Sequence, residues 1–269
     1  MRTTITTIVL LLIAAGLSAQ EATYRYDQGQ EYNYLVEGTS MRIQEVQGRS
    51  ISINSETTIS TVLTSIEPLE NGHQRLQLTV NNALISAETP EGSQTRGADV
   101  GGKSVQFEID HKGDVIDVDT SINAYDDESA GILRSMLNFF PTIEKDQLST
   151  GSSWEVNGVD TSGSGECQTI IEYERSYAVT GEKEVEGIQS YEVTITTESD
   201  LEGKLVRGDN EMMISGTIEV KAKAYLAVEN GVLVNMEAEI NTDQVYMFPS
   251  NNMRVPVTEN SVRKITLMP

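Results

Sequence analysis

Along most of this chain apolar and polar residues alternate with a period of two. In Val105-Gln106-Phe107-Glu108-Ile109 the alternation is strict, as a strand with one buried face requires. It recurs in Ile218, Val220, Ala222 and Ala224 against Glu219, Lys221 and Lys223, and in Val232, Val234, Met236, Ala238 and Ile240 against Asn235, Glu237 and Glu239. These are long antiparallel strands with one wet face. Ile51, Ile53, Ile59 and Leu63 in a Thr/Ser-rich stretch, and Leu76 to Val80, add further strands. His111-Lys112-Gly113-Asp114 and Glu229-Asn230-Gly231 supply the turn chemistry of hairpins. Segments 88 to 102 and 199 to 216, rich in glycine, read as loops or irregular edges. Pro249 to Asn252 and Pro256 break the pattern before a last strand around Arg263 to Leu267 that could close a sheet.

One segment follows another period. From Asp127 to Phe140 the apolar residues Ile132, Leu133, Met136, Leu137, Phe139 and Phe140 form one helical stripe. Asp126, Asp127 and Glu128 stand where the helix dipole favours negative charge, Arg134 comes later, and Pro141 ends the run. The expectation is an amphipathic helix that covers an open sheet edge or barrel mouth, with a lid over a ligand cavity as the sharper alternative.

Three landmarks occur twice in the same order. Gly29-Gln30-Glu31-Tyr32 is answered by Gly151-Ser152-Ser153-Trp154. Gly72-His73-Gln74 running into Leu78-Thr79-Val80 is answered by Gly187-Ile188-Gln189 running into Val193-Thr194-Ile195. Phe107 six residues before Gly113 is answered by Tyr225 six residues before Gly231. The offsets are 122 (151 minus 29), 115 (187 minus 72) and 118 (231 minus 113). The pattern predicts an internal duplication and an all-β, mainly antiparallel fold. Its two similar halves form curved sheets side by side or one large barrel-like sheet, with the helix between them. The divisions are a signal peptide at 1–19, a first β-rich repeat at 20–120, a linking helix at 121–142 and a second repeat at 143–269.

The signal peptide is read from Arg2 ahead of an apolar run, Ile8 to Leu17, that ends in the small-residue pattern Leu17-Ser18-Ala19. That run is shorter than the roughly 20 residues of a spanning helix, so no membrane span is expected. Gln20, where a bacterial lipoprotein would carry its lipidated cysteine, argues against a lipid anchor. A periplasmic or secreted protein is the expectation. With 41 acidic and 19 basic residues and a net charge of −22, the chain repels nucleic acid and anionic headgroups. The single cysteine, Cys167, has no partner for an intramolecular disulfide, and its acidic setting disfavours a reactive thiolate; it reads as an inert residue at a strand start.

No catalytic set is legible. A hydrolytic triad needs a histidine beside a nucleophile, and the two histidines, His73 at a strand start and His111 in a hairpin turn, stand beside no Gly-x-Ser-x-Gly elbow. Gly163-Ser164-Gly165 reads as a linker. One cysteine and two distant histidines do not make a zinc site. Asp117, Asp119, Ser121 and Glu128 match the ligand spacing of a calcium loop, but Ile122 replaces its sixth-position glycine, and an acidic helix cap is the better reading. The site expectation is therefore no catalytic, cofactor-binding or metal residue, no cofactor, and no enzyme.

The opening Gly29-Gln30-Glu31-Tyr32-Asn33-Tyr34, the hairpin Ile109-Asp110-His111-Lys112-Gly113-Asp114-Val115, and Phe140-Pro141 leading to Gly151-Ser152-Ser153-Trp154 resemble an uncharacterised family of exported bacterial β-rich proteins, a domain of unknown function. Ser152 and Phe140 depart from it, since the family usually has an acidic and an aliphatic residue there. The resemblance implies fold and compartment and carries over no functional residue. At the level of architecture the chain is also similar to periplasmic lipoprotein carriers, whose curved sheets hold acyl chains. Two functions are expected from this: a non-enzymatic binder or carrier of an apolar ligand in the cell envelope, or a structural or protein-interaction module there.

Overall fold

The computed structural model describes residues 24–70, 72–137, 140–144, 148–164, 167–207 and 210–269. The signal peptide expected at 1–19 lies outside them. The period-two segments form twelve strands: β1 (Glu31–Val46), β2 (Arg49–Pro68), β3 (Gln74–Thr89), β4 (Gly92–Gly97), β5 (Ser104–Ile109), β6 (Val115–Val118), β7 (Ser153–Ser164), β8 (Cys167–Val185), β9 (Ile188–Arg207), β10 (Asn210–Ala227), β11 (Leu233–Phe248) and β12 (Met253–Met268). They make one 12-stranded antiparallel sheet in the order β6-β5-β3-β2-β1-β12-β11-β10-β9-β8-β7, with β4 paired to β3 beside β5. Of the two arrangements expected, the single continuous sheet is the one formed. It is not closed into a barrel, because β6 and β7 are left as edges. The 20-residue strands β2 and β9 span roughly 65 Å each.

The strand order consists of two runs of five, β6-β5-β3-β2-β1 and β11-β10-β9-β8-β7, that read in the same direction and are joined by β12. Details recur between the runs. Gly29 N–H donates to Ser65 O at 2.8 Å and Ser65 N–H to Gln30 O at 3.1 Å; Gly151 N–H donates to Val179 O and Val179 N–H to Ser152 O, both at 2.8 Å. A bulge interrupts β2 between Ser65 and Glu67 and β8 between Val179 and Gly181. The glycine pairs Gly29 and Gly151, Gly72 and Gly187, and Gly113 and Gly231 all have positive φ, a region an L side chain enters only with strain.

Several readings need correction. Residues 199–207 and 210–216 belong to β9 and β10, not to a loop. Their glycines mark close backbone approach instead of a turn: a Cβ at Gly203 would lie 3.2 Å from Gln168 O, and one at Gly216 would strike the Asp243 carbonyl. In segment 88 to 102 only the stretch after β4 is irregular. Pro256 sits inside β12 opposite Val245, tolerated where the ladder to β1 has ended at Gln44 and Val257. The last strand starts at Met253 and closes nothing; it joins the two runs.

The helix, α1 (Asp127–Leu137), ends three residues before Phe140, with 138–139 outside the described residues; Phe140 is a buried bend residue. The helix docks where the runs differ. The place that β10 fills with 18 unbroken residues is held in the first run by β4 and β5, and the gap between them receives α1. Ser129 Oγ lies 3.1 Å from Asp99 O, and Lys103 Nζ donates to Asp126 Oδ2 at 2.9 Å and Ser129 Oγ at 2.8 Å.

One apolar core gathers residues of both runs at one end of the sheet, including Tyr34, Leu63, Leu76, Ile109, Leu133, Tyr177, Leu226 and Ile265. Two irregular segments cross that end. Tyr24 N–H donates to His111 O at 3.0 Å and Arg25 N–H to Asn230 O at 2.8 Å, which ties the β5–β6 turn to the β10–β11 turn. Residues 140–144 bridge the open edges: Ile143 N–H donates to Lys112 O at 2.8 Å, Thr142 Oγ1 to Asp114 Oδ1 at 2.9 Å, and Trp154 Nε1 to Thr142 O at 2.9 Å. The sheet is thus plugged at this end, while its other half runs on with nothing packed against it among the described residues.

Candidate functional site: the inner face beneath the helix

The face that α1 covers, here the inner face, carries apolar residues well beyond the core, interspersed with Ser, Thr, Gln and a few charged side chains. Across the strands run ladders of directly paired residues. One holds Tyr177, Ile195, Ala222, Ala238, Arg263, Gly38, Thr57 and Ile85 from β8 to β3. Outward from it come ladders with Val156, Val220 and Ile240, then Tyr173, Ile218 and Ile53, then Ile171, Leu201, Val257 and Ile51. In β2 the inner Ile51, Ile53, Ser55 and Thr57 are half-buried while Ser52, Asn54, Glu56 and Thr58 are exposed; Ser55 and Thr57 line the cavity beside α1, and Ile51 and Ile53 continue the same face beyond it. A concave inner face produces that difference.

Where the plugged end meets this trough, α1 and the sheet enclose a cavity of about 310 Å³. Ile132, Ser135 and Met136 of the helix face Val36, Gly38, Ile59 and Ile85 of the sheet, with Ser40, Ser261, Glu259 and Arg263 along the remaining wall. The helix is pinned at its start: Asp126 Oδ1 accepts from Ser129 N–H at 2.9 Å and Oδ2 from Ser129 Oγ at 2.7 Å. These bonds, with the Lys103 ammonium, hold the Asp126 carboxyl well below the usual carboxylate range. Arg96 pairs with Glu128 at 2.8 Å, and Arg134 donates to Asn123 Oδ1 at 2.8 Å.

Arg263 is the unusual member of the wall. Its paired neighbours are Gly38 and Ala238, so neither flanking strand fills the space over its guanidinium. No ion pair or hydrogen bond of that group occurs among the described residues, and burial alone pushes its pKa down. Four residues along the neighbouring strand from Gly38, Arg42 donates to Tyr246 Oη at 3.2 Å and lies over that ring at 5.6 Å, while its buried Nε has no partner among the described residues.

The residues weighed for chemistry in the sequence do not gather here. His73 pairs with Glu108 on β5 at the core end, and His111 stands in the β5–β6 turn. Cys167 opens β8, its Sγ 3.3 Å from both the carbonyl and the amide of Val206. Asp119 caps a short 3-10 turn through Ser121 N–H at 2.7 Å, Glu128 is occupied by Arg96, and among the described residues no group of three or more His, Cys, Asp or Glu is placed to hold a metal. In the sequence Arg263 stands out only as the start of the last strand, and Arg42 not at all. Their signal is phase: Arg263 shares the period-two phase of Val255, Val257 and Ile265, on the buried face.

No protein-family model matches the sequence, and none of the curated proteins matches it, so the resemblance to an exported family rests on the quoted residues alone. Among solved structures, a lipovitellin determined for its lipid–protein interactions is similar over 91% of this chain and 26% of its own, with 14% identity and a TM-score of 0.55. This chain therefore spans about a quarter of that protein's length, and the likeness is one of fold. OccK5 (OpdH) of Pseudomonas aeruginosa matches over 89% of this chain and 98% of its own at 7% identity and a TM-score of 0.27. An outer membrane lipoprotein-sorting protein domain of Vibrio parahaemolyticus matches over 87% and 83% at 10% identity and a TM-score of 0.16. No described helix is long and apolar enough to cross a membrane. Among the comparisons, the one that bears on this chain is the open, curved sheet it shares with part of lipovitellin.

Proposed function

We propose that this protein is a non-enzymatic binder or carrier of an apolar ligand, exported to the cell envelope, that holds its cargo against the inner face of the sheet beneath α1. The observation that carries the reading is the half-buried apolar inner face running into a cavity of about 310 Å³ between α1 and β1, β2, β3 and β12. That volume lies at the lower end of small-molecule pockets, about 300–1,000 Å³. The lipovitellin likeness supports the architecture; in that protein a sheet of this kind belongs to a structure solved for its lipid contacts. The repeated hydrogen bonds, bulges and turns support an origin by duplication, with the helix that flanks the site docked where the halves diverge, at the gap between β4 and β5.

The test fills the cavity. Gly38 has ordinary φ, and a Cβ there meets Val262 O at 3.7 Å, so a larger side chain is accommodated at its base and projects into the space. Protein purified from its native host should release an apolar compound on solvent extraction, detected by mass spectrometry, and Gly38→Leu should carry none. An extract with no such compound from the native protein, or equal amounts from both, would refute the proposal.

A further inference from the structure

The acidic balance of this chain argues against an anionic ligand, but the charges are not evenly spread. On the outer face the open half of the sheet is laddered with acids: Glu174, Glu198 and Glu219 are direct cross-strand neighbours, as are Glu172 and Asp200. The inner face of the sheet carries Arg175 on β8, Arg42 on β1 and Arg263 on β12 against Glu259 on β12 and Asp160 on β7. Arg175 is already engaged, donating to Thr197 Oγ1 at 3.2 Å and lying 4.8 Å over the Tyr173 ring. Arg263 has no such partner among the described residues. It is a half-buried cation on the wall of the cavity, with Gly38 and Ala238 leaving room on both sides and no described carboxylate in contact. A desolvated charge without a partner is costly, and a guanidinium presents two parallel donors matched to a carboxylate.

We propose that the cavity takes a single-chain fatty acid, its carboxylate bidentate on Arg263 and its alkyl chain against Val36, Ile59, Ile85, Ile132 and Met136. The inference rests on the apolar-ligand reading above and deepens it. A single-chain carboxylate fits better than a phospholipid because a cavity of about 310 Å³ leaves room for one acyl chain and not for two.

The experiment uses the full chain, stripped of bound lipid on hydrophobic resin, and isothermal titration with palmitate, with hexadecanol as its uncharged counterpart, and with phosphatidylglycerol vesicles. Wild type should bind palmitate more tightly than hexadecanol. Arg263→Gln should weaken palmitate by roughly ten- to a hundredfold, the loss of a charge-assisted hydrogen-bonded pair, and weaken hexadecanol, whose hydroxyl makes only a neutral hydrogen bond there, by much less. Arg263→Lys should recover part of the palmitate affinity, which excludes a mere folding defect. Equal affinities of Arg263→Gln and wild type for palmitate, or binding of phosphatidylglycerol without palmitate, would overturn the headgroup assignment while leaving the apolar-ligand reading standing. Failure of both palmitate and hexadecanol to bind wild type would remove both.

Discussion

Leu133 is the side chain on which the attachment of α1 depends most. It is fully buried between the helix and the inner face, in the same core cluster as Ala130, Met136 and Leu137. Truncating it to alanine removes three carbon groups from an apolar site, about 2.4 kcal/mol at roughly 0.8 kcal/mol each. A cavity term adds to this at about 24 cal/mol per Å³ of space that does not collapse. Collapse is opposed here because the helix already spans an open cavity of about 310 Å³ and is pinned at Asp126 and Ser129. The sum is about 4 kcal/mol, in the upper half of the range for buried Leu→Ala changes. For a chain of this size it lowers Tm by about 8–16 °C. Ile132, half-buried on the cavity wall, should cost less than about 2 kcal/mol when cut to alanine. Urea unfolding followed by Trp154 fluorescence measures both. Trp154 is the single tryptophan, buried and stacked on Tyr177 with ring centroids 5.0 Å apart, so it reports on the same core. A Leu133→Ala loss under about 1 kcal/mol, or losses equal at the two positions, would show that the helix is not held by this contact.

Two further outcomes are expected. Asp126 has its folded pKa lowered by Ser129 and Lys103, so its contribution is present above the ordinary carboxylate pKa and is lost as pH falls through the lower folded value; amide exchange over α1 should quicken in acid in wild type and change less with pH in Asp126→Asn. Glu198 lies directly across from both Glu174 and Glu219, and like charges directly opposite repel, so Glu198→Lys should stabilise the protein by roughly 0.5–1 kcal/mol in low salt and less at 1 M salt, read from urea midpoints.

The strands were legible because each carries its own evidence of burial: Val105 to Ile109 and Val232 to Ile240 alternate whatever they pair with. Turns at Gly113 and Gly231 were legible because positive φ selects glycine. The helix was legible from its stripe and its acidic start, though its end fell at Leu137 because a buried aromatic such as Phe140 extends an apolar stripe whether or not the backbone stays helical. Pairing was not legible. Nothing local in Met253 to Met268 says that its neighbours are β1 and β11, since strand partners are chosen by the fit of whole faces. Gly203 and Gly216 misled for a related reason: glycine serves a turn and a close backbone approach alike, and only the neighbouring strand distinguishes them. The inner arginines stayed hidden because alternation says which residues share a face without saying which face the core takes.

The place of β12 has a consequence for how the sheet comes into being. This strand follows all the others in the chain, yet it lies between the two runs and holds both β1 and β11. Until it arrives, each run presents a long unpaired strand of 16 residues to its surroundings. β12 pairs locally with β11 across residues 249–252, so the long-range step is its pairing with β1, and the open margin of β1 fits β12 of a second copy as well as that of its own chain. Assembly is slow in proportion to the separation of β1 from its partner, which spans nearly the whole chain. The strand that completes the fold is also the one that brings Arg263 to the cavity wall, so a chain interrupted before it would lack both the join and the site.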